Sequence, residues 1–420
     1  MRKADDIRFR LWIARTSAIT PLIWLVVALA LGVVSPRLDR ALDIHTGISP
    51  DAARAMLTAT GSGMIAFTGF VFSLSLLIVQ FGSQALSPRV VPELRRDRFA
   101  GHALGAFVAT FVFCLGATLD IGDGSSGATL ITISIAFLLL ITSVLFFLGL
   151  IQRVTTGLQI PVVLGRLGRM GCAAIGAVYP EPYDGDEDAP AYPPLPDDAV
   201  VLFHHHDPAV VATVDVAAVR AAGARHDVTV ALVPAIGERV GHGDPLLRIA
   251  GDGTSADAAD LHHALRRAIV FAPARTIEQD PAYGFRLIVD IAIKALSPAI
   301  NDPTTATQAL DEVEDMLQLL AGRAVTHGDA RVRIRTATWD DLVDLALTEI
   351  VQFGSHSVQV TRRLRALLDT VAATAPPERQ AALTAHREGL DKTVAGAFPD
   401  PSLRAITQVP DRMGLGLSGG

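Results

Sequence analysis

The residues best placed for chemistry lie in two motifs of the C-terminal half, each with an Asp directly before a Pro: Asp280-Pro281 and Asp302-Pro303. Apolar residues at helical spacing follow both motifs. An Asp side chain accepts hydrogen bonds from the free N–H groups of a helix start, and Pro suits the first helical position. The motifs therefore predict helices over about 281–296 and 303–320, joined by a tight loop at 297–302.

The same motifs contain polar groups that suit an anionic ligand or a protein interface. The exposed N–H groups and the dipole of a helix start favour an anion, and the two N-termini would form one site if they converge. Helix capping alone also explains these residues, so two interpretations stand. The candidate ligand or interface residues are Arg275, Glu278, Asp280, Asn301, Asp302 and Thr304.

A second polar set lies along an apolar segment of the N-terminal half, residues 56–81, and continues to Gln84 just beyond it. At 100° per residue, six small or polar residues fall within a sector of roughly 80° on one helix face. Such residues let transmembrane helices pack closely, and they also line water-filled paths, so packing is the alternative to a pore. The candidate pore-lining residues are Thr58, Ser62, Gly69, Ser73, Gln80 and Gln84.

Catalysis, metal binding and cofactor binding are not expected. His204, His205 and His206 are adjacent, and successive residues of a strand point to opposite faces, which suits a metal site poorly. The sequence shows no nucleophile beside a base, no metal-ligand spacing and no phosphate-binding loop. We therefore expect a protein that is not an enzyme and that has neither a cofactor nor a metal.

Four apolar segments without interior charges are long enough to cross a membrane, at about 17–34, 56–81, 102–119 and 128–151. Lys and Arg accumulate on the cytoplasmic side of short connections. Here they cluster in the N-terminal tail, in the connection between the second and third segments, and after the fourth segment. We therefore predict a multi-pass membrane protein with both termini in the cytoplasm.

The connection between the second and third segments combines prolines, apolar residues and four arginines. It would lie in the membrane interface with its cations near anionic headgroups, or it is an ordinary cytoplasmic loop that follows the charge rule. The candidate membrane-interface residues are Arg89, Arg95, Arg96 and Arg98.

The fold class that follows is an α-helical membrane domain of about four transmembrane helices, then a mixed α/β and finally helical cytoplasmic domain. Residues 1–155 form the predicted transmembrane domain, and 156–198 contain a connecting helix and an acidic, Pro-rich linker. Short β-branched runs within 199–250 predict a small α/β unit, in which 234–249 has the pattern of a glycine-turn hairpin. Residues 251–410 are mainly helical in pattern, and 411–420 are expected to be disordered.

Charge divides the chain at the same place. Residues 1–175 contain 15 Lys and Arg against 9 Asp and Glu, whereas the remainder contains 21 against 34, a net charge of −13. Because phosphate binding depends on clustered Lys and Arg, this acidic half is a poor partner for nucleic acid. The expected partners are the lipid bilayer, further copies of the chain in a homo-oligomer, and ions.

Four segments resemble the bacterial integral membrane proteins of domain-of-unknown-function family 2254. They are Gly63–Ser73 with the later Gln84–Arg89, then Arg275–Gly284, and Ala295–Ala306. The resemblance covers most of the chain and implies a bacterial inner-membrane protein of the architecture above, without implying an activity. One departure lies near 205–212, where the family tends to have a Ser-Gly-Tyr type of turn and this chain has His-His-His-Asp-Pro.

The favoured functional hypothesis is a homo-oligomeric ion channel whose second span lines the pore and whose acidic cytoplasmic domain regulates it. Proton-coupled transporters usually keep an ionisable side chain at membrane depth, and none is visible inside the four segments. The alternative is a membrane-anchored sensor or scaffold whose cytoplasmic domain binds a ligand or partner protein without conduction.

Overall fold

A computed structural model of the chain describes residues 19–42, 48–85, 89–90, 98–120, 130–157, 159–185, 195–251, 258–325 and 331–415. These residues divide into an N-terminal unit that ends at Gln159 and a C-terminal unit that begins at Ile160.

Four apolar helices form the N-terminal unit: α1 Ile19–Leu42, α2 Pro50–Ala85, α3 Arg98–Asp120 and α4 Leu130–Gly157. Each coincides with one of the four predicted spans. Half of the apolar stretch of α3 is buried, against 17–22% in the other three, so α3 is the central helix. Apolar side chains such as Met64, Phe107 and Phe113 fill the space around it.

Contacts at the two ends of the bundle define the helix directions. Near the start of α1, Trp24 Nε1 donates a hydrogen bond to His102 Nδ1 near the start of α3 (3.2 Å). The His102 ring stacks on Phe146 in the C-terminal half of α4. At the other end, Asp39 of α1 contacts Thr132 at the start of α4. Helices α1 and α3 are therefore parallel to each other and antiparallel to α4.

The C-terminal unit begins with another apolar helix and continues with a mixed part that contains two small sheets. Its elements are α5 Ile160–Val178, β1 Val200–Phe203, β2 Ala209–Val214, α6 Val216–Arg225, β3 Thr229–Leu232, β4 Arg239–Val240, β5 Pro245–Ala250, α7 Ala258–Ala268, β6 Ile269–Ala272 and β7 Val332–Arg333. The strand orders are β1-β5-β3-β7 and β4-β2-β6, and only the β3–β7 pair is parallel among the described strands.

Two expectations about this mixed part are wrong. Strands β4 and β5 lie in different sheets, so 234–249 is not a hairpin. The α/β unit also does not end at residue 250, because β6 and β7 complete the sheets from within the region expected to be helical. Both errors have the same cause. The short strands pair with segments that are distant in the sequence, and the local sequence pattern does not encode which segments these are.

The rest of the C-terminal unit is helical, as predicted. It contains α8 Pro281–Ala295, α9 Pro303–Ala321, α10 Trp339–Gly354, α11 Val358–Thr374, a 3₁₀ turn at Pro377–Arg379, α12 Gln380–Ala397 and α13 Pro401–Thr407. Asp280 and Asp302 cap α8 and α9, each with Pro at the first helical position, which confirms both predicted helix starts.

Among the described residues, helix α5 is the fifth helix that is long and apolar enough to cross a membrane, one more than the four predicted segments. It packs on α8 and α9 through glycines. A Cβ at Gly171 would lie 2.4 Å from Met316 Cε, and a Cβ at Gly284 would lie 3.2 Å from Gly171 Cα. The absence of a side chain at these positions lets the three helices approach closely.

The chain is ordered beyond the point at which disorder was expected. Asp411 is buried, and its N–H donates to the Arg362 carbonyl, while Arg362 Nε donates to the Val409 carbonyl. These bonds attach residues 409–411 to α11. Within the predicted disordered tail, 411–415 are therefore held in place, and 416–420 lie outside the described residues.

Candidate functional site

The polar face of α2 points away from the helices on which α2 packs in the N-terminal unit. Its buried residues include Ala53, Leu57, Met64 and Val71, which pack in the bundle. At 100° per residue, the centre of that buried sector lies roughly 140° from the centre of the polar sector. The predicted residues Thr58, Ser62, Gly69, Ser73 and Gln80 are all exposed.

The small side chains leave open space along this face. A Cβ at Gly69 would meet nothing within 4 Å. The hydroxyls of Ser62 and Ser73 donate to the carbonyls of Ala59 and Gly69 at 3.0 Å, so each is satisfied within its own helix. Gln84 belongs to α2, but its side chain lies outside the described part. Among the described residues of the N-terminal unit, helix packing therefore does not explain this face.

The interior of the described bundle is filled by aromatic side chains. Phe67 of α2 lies 4.7 Å from Phe147 of α4 and 6.2 Å from Phe107 of α3, measured between ring centroids. Between α3 and α4, the buried hydroxyls of Thr110 and Ser143 are 2.9 Å apart. These contacts leave no room for a water-filled path through this packed region of the described bundle.

Arg275 and Asp280 form a compact site at the start of α8. Asp280 Oδ1 accepts the Tyr283 N–H at 3.0 Å, which caps the helix. Its Oδ2 accepts bonds from Arg275 Nε at 2.9 Å and Nη2 at 2.7 Å. Asp280 is only 5% exposed, whereas the Arg275 side chain is 42% exposed. The arginine thus covers a buried carboxylate from the solvent side.

Burial dominates the electrostatics of this site. It raises the pKa of Asp280, against the opposing effect of the Arg275 charge and the Tyr283 hydrogen bond. Burial and the Asp280 charge together raise the pKa of Tyr179. The backbone of Gly237, at φ +86°, packs directly on the remaining side of the carboxylate. It lies so close that a Cβ at this position would be 2.2 Å from Asp280 Oδ2. The carboxylate oxygens are occupied by protein donors, an arrangement that stabilises the joint between the β4–β2–β6 sheet and α8.

The predicted convergence of the two capping motifs is not found. The Asp302 N–H donates to the Ala295 carbonyl at 2.8 Å, so the start of α9 lies beside the end of α8. Because α8 has 15 residues at about 1.5 Å each, its own start, with Asp280, is roughly 22 Å away. The antiparallel helix pair therefore separates Arg275, Glu278 and Asp280 from the second motif, which contains Asn301, Asp302 and Thr304.

Each motif has its own local environment. Asp302 Oδ2 accepts the Thr305 hydroxyl at 2.6 Å, while Asn301, at φ +50°, and Thr304 are exposed at the loop. Glu278 is also exposed. The structure therefore assigns a capping contact to Asp280 and Asp302 and a solvent-facing position to the other polar members.

The predicted membrane-interface arginines are only partly described. Arg89 is exposed on the turn at 89–90, and Arg98 is the first residue of α3. Arg95 and Arg96 lie outside the described residues.

A buried carboxylate in the N-terminal unit was missed by the sequence analysis. Asp39, 0% exposed, accepts hydrogen bonds from the Ile131 N–H (2.9 Å), the Thr132 N–H (3.0 Å) and the Thr132 hydroxyl (2.6 Å). It thereby caps α4 from the neighbouring helix α1. The only signal in the sequence was an Asp just beyond the end of the first predicted span, and nothing local indicated its partner.

Comparison with known proteins places the chain among relatives of undetermined activity. Uncharacterized protein Rv1290c of Mycobacterium tuberculosis and uncharacterized protein Mb1321c of Mycobacterium bovis are each 28% identical to it over 375 residues. The matched part covers 85% of this chain and 71% of each relative. No solved structure matches. The model of domain-of-unknown-function family 2254, described as a predicted membrane protein, matches residues 14–370, and the chain belongs to this family.

Proposed function

We propose that the protein is a homo-oligomeric ion channel in which the polar faces of α2 from several subunits surround one shared water-filled path. The observation that carries this proposal is the orientation of α2. Its small and polar residues face outward, on the side opposite to the one that packs in the bundle.

The filled interior of the subunit supports a path between subunits. Because Phe67 contacts both Phe107 and Phe147, this packed region of the described helices encloses no polar route of its own. A ring of α2 faces would bring Ser and Gln side chains, with open space at Gly69, around a common axis. Neutral polar side chains can replace part of the hydration of a passing ion.

The membrane topology that fits this proposal has four spans. Helix α5 satisfies the length and hydropathy of a span, but its glycine face is packed closely on α8 and α9. We place the protein in the inner membrane. We assign α5, both termini and the acidic C-terminal unit to the cytoplasmic side of that membrane. A net charge of −13 over residues 176–420 would raise the local concentration of cations at the inner mouth.

Conductance of the purified full chain in planar bilayers tests the proposal, together with its subunit count in detergent. Discrete currents from an oligomer are expected from the wild type. Ser73→Leu and Gln80→Leu should lower the single-channel conductance while the subunit count stays the same. Thr142→Leu is the control, because Thr142 lies on α4, outside the proposed lining helix, and its half-buried hydroxyl donates to the Leu138 carbonyl of the same helix.

Three results would contradict the proposal. A well-folded wild-type monomer or dimer without currents would favour the anchored sensor or scaffold. Unchanged conductance in both leucine variants would exclude α2 as the lining helix. Loss of the oligomer in the same variants would show that the face serves helix packing between subunits.

A further inference from the structure

A groove runs along the outer surface of the N-terminal unit, between the parallel helices α1 and α3. Its volume is about 240 Å³, below the roughly 300–1,000 Å³ of sites that enclose a drug-sized ligand. It is long and narrow, because its lining positions follow the two helix axes. The lining residues are Ala28, Leu29, Gly32, Val33, Arg37, Val112, Gly116 and Leu119.

Glycines form the floor of the groove. A Cβ at Gly116 would meet no atom within 4 Å, and a Cβ at Gly32 would come no closer than 3.8 Å to Phe113. The walls are exposed aliphatic side chains: Leu29 and Val33 are each 51% exposed and Leu119 is 80% exposed. The groove is therefore apolar and open toward the surroundings of a membrane helix bundle, which are lipid.

One end of the groove carries a positive charge. Arg37 is exposed and lies nine residues after Ala28 on α1, so about 14 Å along the helix separates the cation from the apolar end. Arg37 lies at the end of the apolar stretch Ile19–Asp39, which is the depth at which headgroups meet the hydrocarbon. Among the described residues it has no hydrogen bond or ion pair.

We propose that this groove binds one anionic phospholipid, with an acyl chain lying over Gly32 and Gly116 and the phosphate paired with Arg37. The long groove and its aliphatic walls match the acyl chain of such a lipid. The cation at headgroup depth matches its phosphate. A guanidinium offers a fork of N–H donors that suits phosphate oxygens. The inference uses the membrane helices alone and does not depend on ion conduction.

Native mass spectrometry of the purified full chain in neutral detergent tests the inference. The probes are phosphatidylglycerol and phosphatidylcholine with identical acyl chains. One arginine near the membrane surface favours an anionic lipid by about 1 kcal/mol, which is about fivefold in Kd. We therefore expect phosphatidylglycerol to bind about fivefold more tightly, and Arg37→Gln to remove that preference.

Filling the groove should weaken both lipids. Gly116→Leu puts a side chain into open space and should reduce the binding of either lipid at least fivefold, and Val33→Phe should act in the same direction from the wall. Matched controls are Gly63→Leu, also in open space but on α2, and Arg54→Gln, whose arginine already lies 3.9 Å from Asp51. Both controls should bind lipid like the wild type.

Several results would overturn the inference. Equal affinity of the wild type for the two lipids would show that Arg37 does not select an anionic headgroup. Unchanged binding in both Gly116→Leu and Val33→Phe would remove the acyl-chain site. If inorganic phosphate competed with phosphatidylglycerol while Gly116→Leu and Val33→Phe left lipid binding unchanged, Arg37 would bind a free anion and no lipid.

Discussion

The buried carboxylate of Asp39 gives the most quantitative prediction for the N-terminal unit. In Asp39→Ala, the N-terminus of α4 loses three hydrogen bonds to a charged acceptor. Bonds to charged groups contribute about 1.5–3 kcal/mol each, but the three share one carboxylate and are not additive. Loss of a helix cap alone costs about 1 kcal/mol, and each buried N–H left without a partner adds about 1–3. We expect the variant to lose about 4 kcal/mol of stability.

The expected shift in unfolding temperature is large enough to measure. A unit of this size shifts by about 2–4 °C per kcal/mol, so Asp39→Ala should lower the midpoint by about 10 °C. Cys114 is a suitable reporter because it is buried in this unit and only 1% exposed. The chain has two cysteines, so Cys172→Ser leaves one thiol. A thiol-reactive dye then labels Cys114 as this unit unfolds.

Asp51 provides a matched control for this measurement. It also lies at a helix start, but its carboxylate is 96% exposed. Asp51→Ala should shift the midpoint by about 4 °C or less, because exposed charges at a helix end contribute about 0.3–1 kcal/mol. If Asp39→Ala shifted the midpoint no more than Asp51→Ala, the Asp39 carboxylate would not hold α1 to α4.

Three further predictions concern the C-terminal unit, measured by thermal or denaturant unfolding of the full chain. Gly171→Leu drives a side chain into Met316 and should cost about 1–3 kcal/mol or more. Arg379→Met should cost about 3 kcal/mol, because the buried guanidinium donates to two carbonyls at the end of α9 and stacks on Tyr183. For Asp280, burial raises the pKa, so the folded state binds the proton more tightly than the unfolded chain does. The stability of the wild type relative to Asp280→Asn should be greatest below the ordinary pKa of 3.8 and decline as pH rises through the raised value.

Each of these predictions has a control or a contradicting result. Gly176→Leu lies on the same helix as Gly171 in open space and should be nearly neutral. Arg387→Met removes an exposed surface ion pair with Asp369 and should cost under about 1 kcal/mol. For Asp280, a difference between wild type and variant that grows with rising pH would show that pairing with Arg275 outweighs burial.

The membrane helices were predictable because their signal is local. Uncharged apolar runs longer than about 18 residues have few explanations other than a span. The exception is instructive: α1 continues through Pro36 to Leu42, although the predicted span ended at Val34. The start of α4 satisfies the Asp39 charge inside the fold, and the sequence of α1 does not contain that partner.

The candidate sites also combine features that depend on nearby residues, which were predictable, with features that depend on tertiary packing, which were not. The caps at Asp280 and Asp302 depend on neighbours within three residues, and both were predicted. Whether the two motifs meet depends on the antiparallel arrangement of α8 and α9, which the capping residues do not specify. The polar face of α2 was visible as a periodic pattern, but which face packs in the bundle is decided by α3.

Charged residues with distant partners were the least predictable. Two arginines near the middle of α11 have such partners. Arg363 pairs with Asp311 and Glu314 of α9, and Arg365 pairs with Asp391 of α12. All of these side chains but Asp311 and Asp391 are largely buried. No local pattern distinguishes such a buried arginine from one at the surface of a helix.

The docking of α5 determines where the chain can be divided without damage. The acidic, Pro-rich segment before residue 195 looks like the natural start of a soluble fragment. A fragment that begins there would lack Leu164, Leu167 and Ile175, which are at most 2% exposed, and would leave the apolar faces of α8 and α9 uncovered. A fragment that begins at Ile160 keeps them, so an expression boundary a few residues after α4 should give a protein that stays in solution, and one at the linker should aggregate.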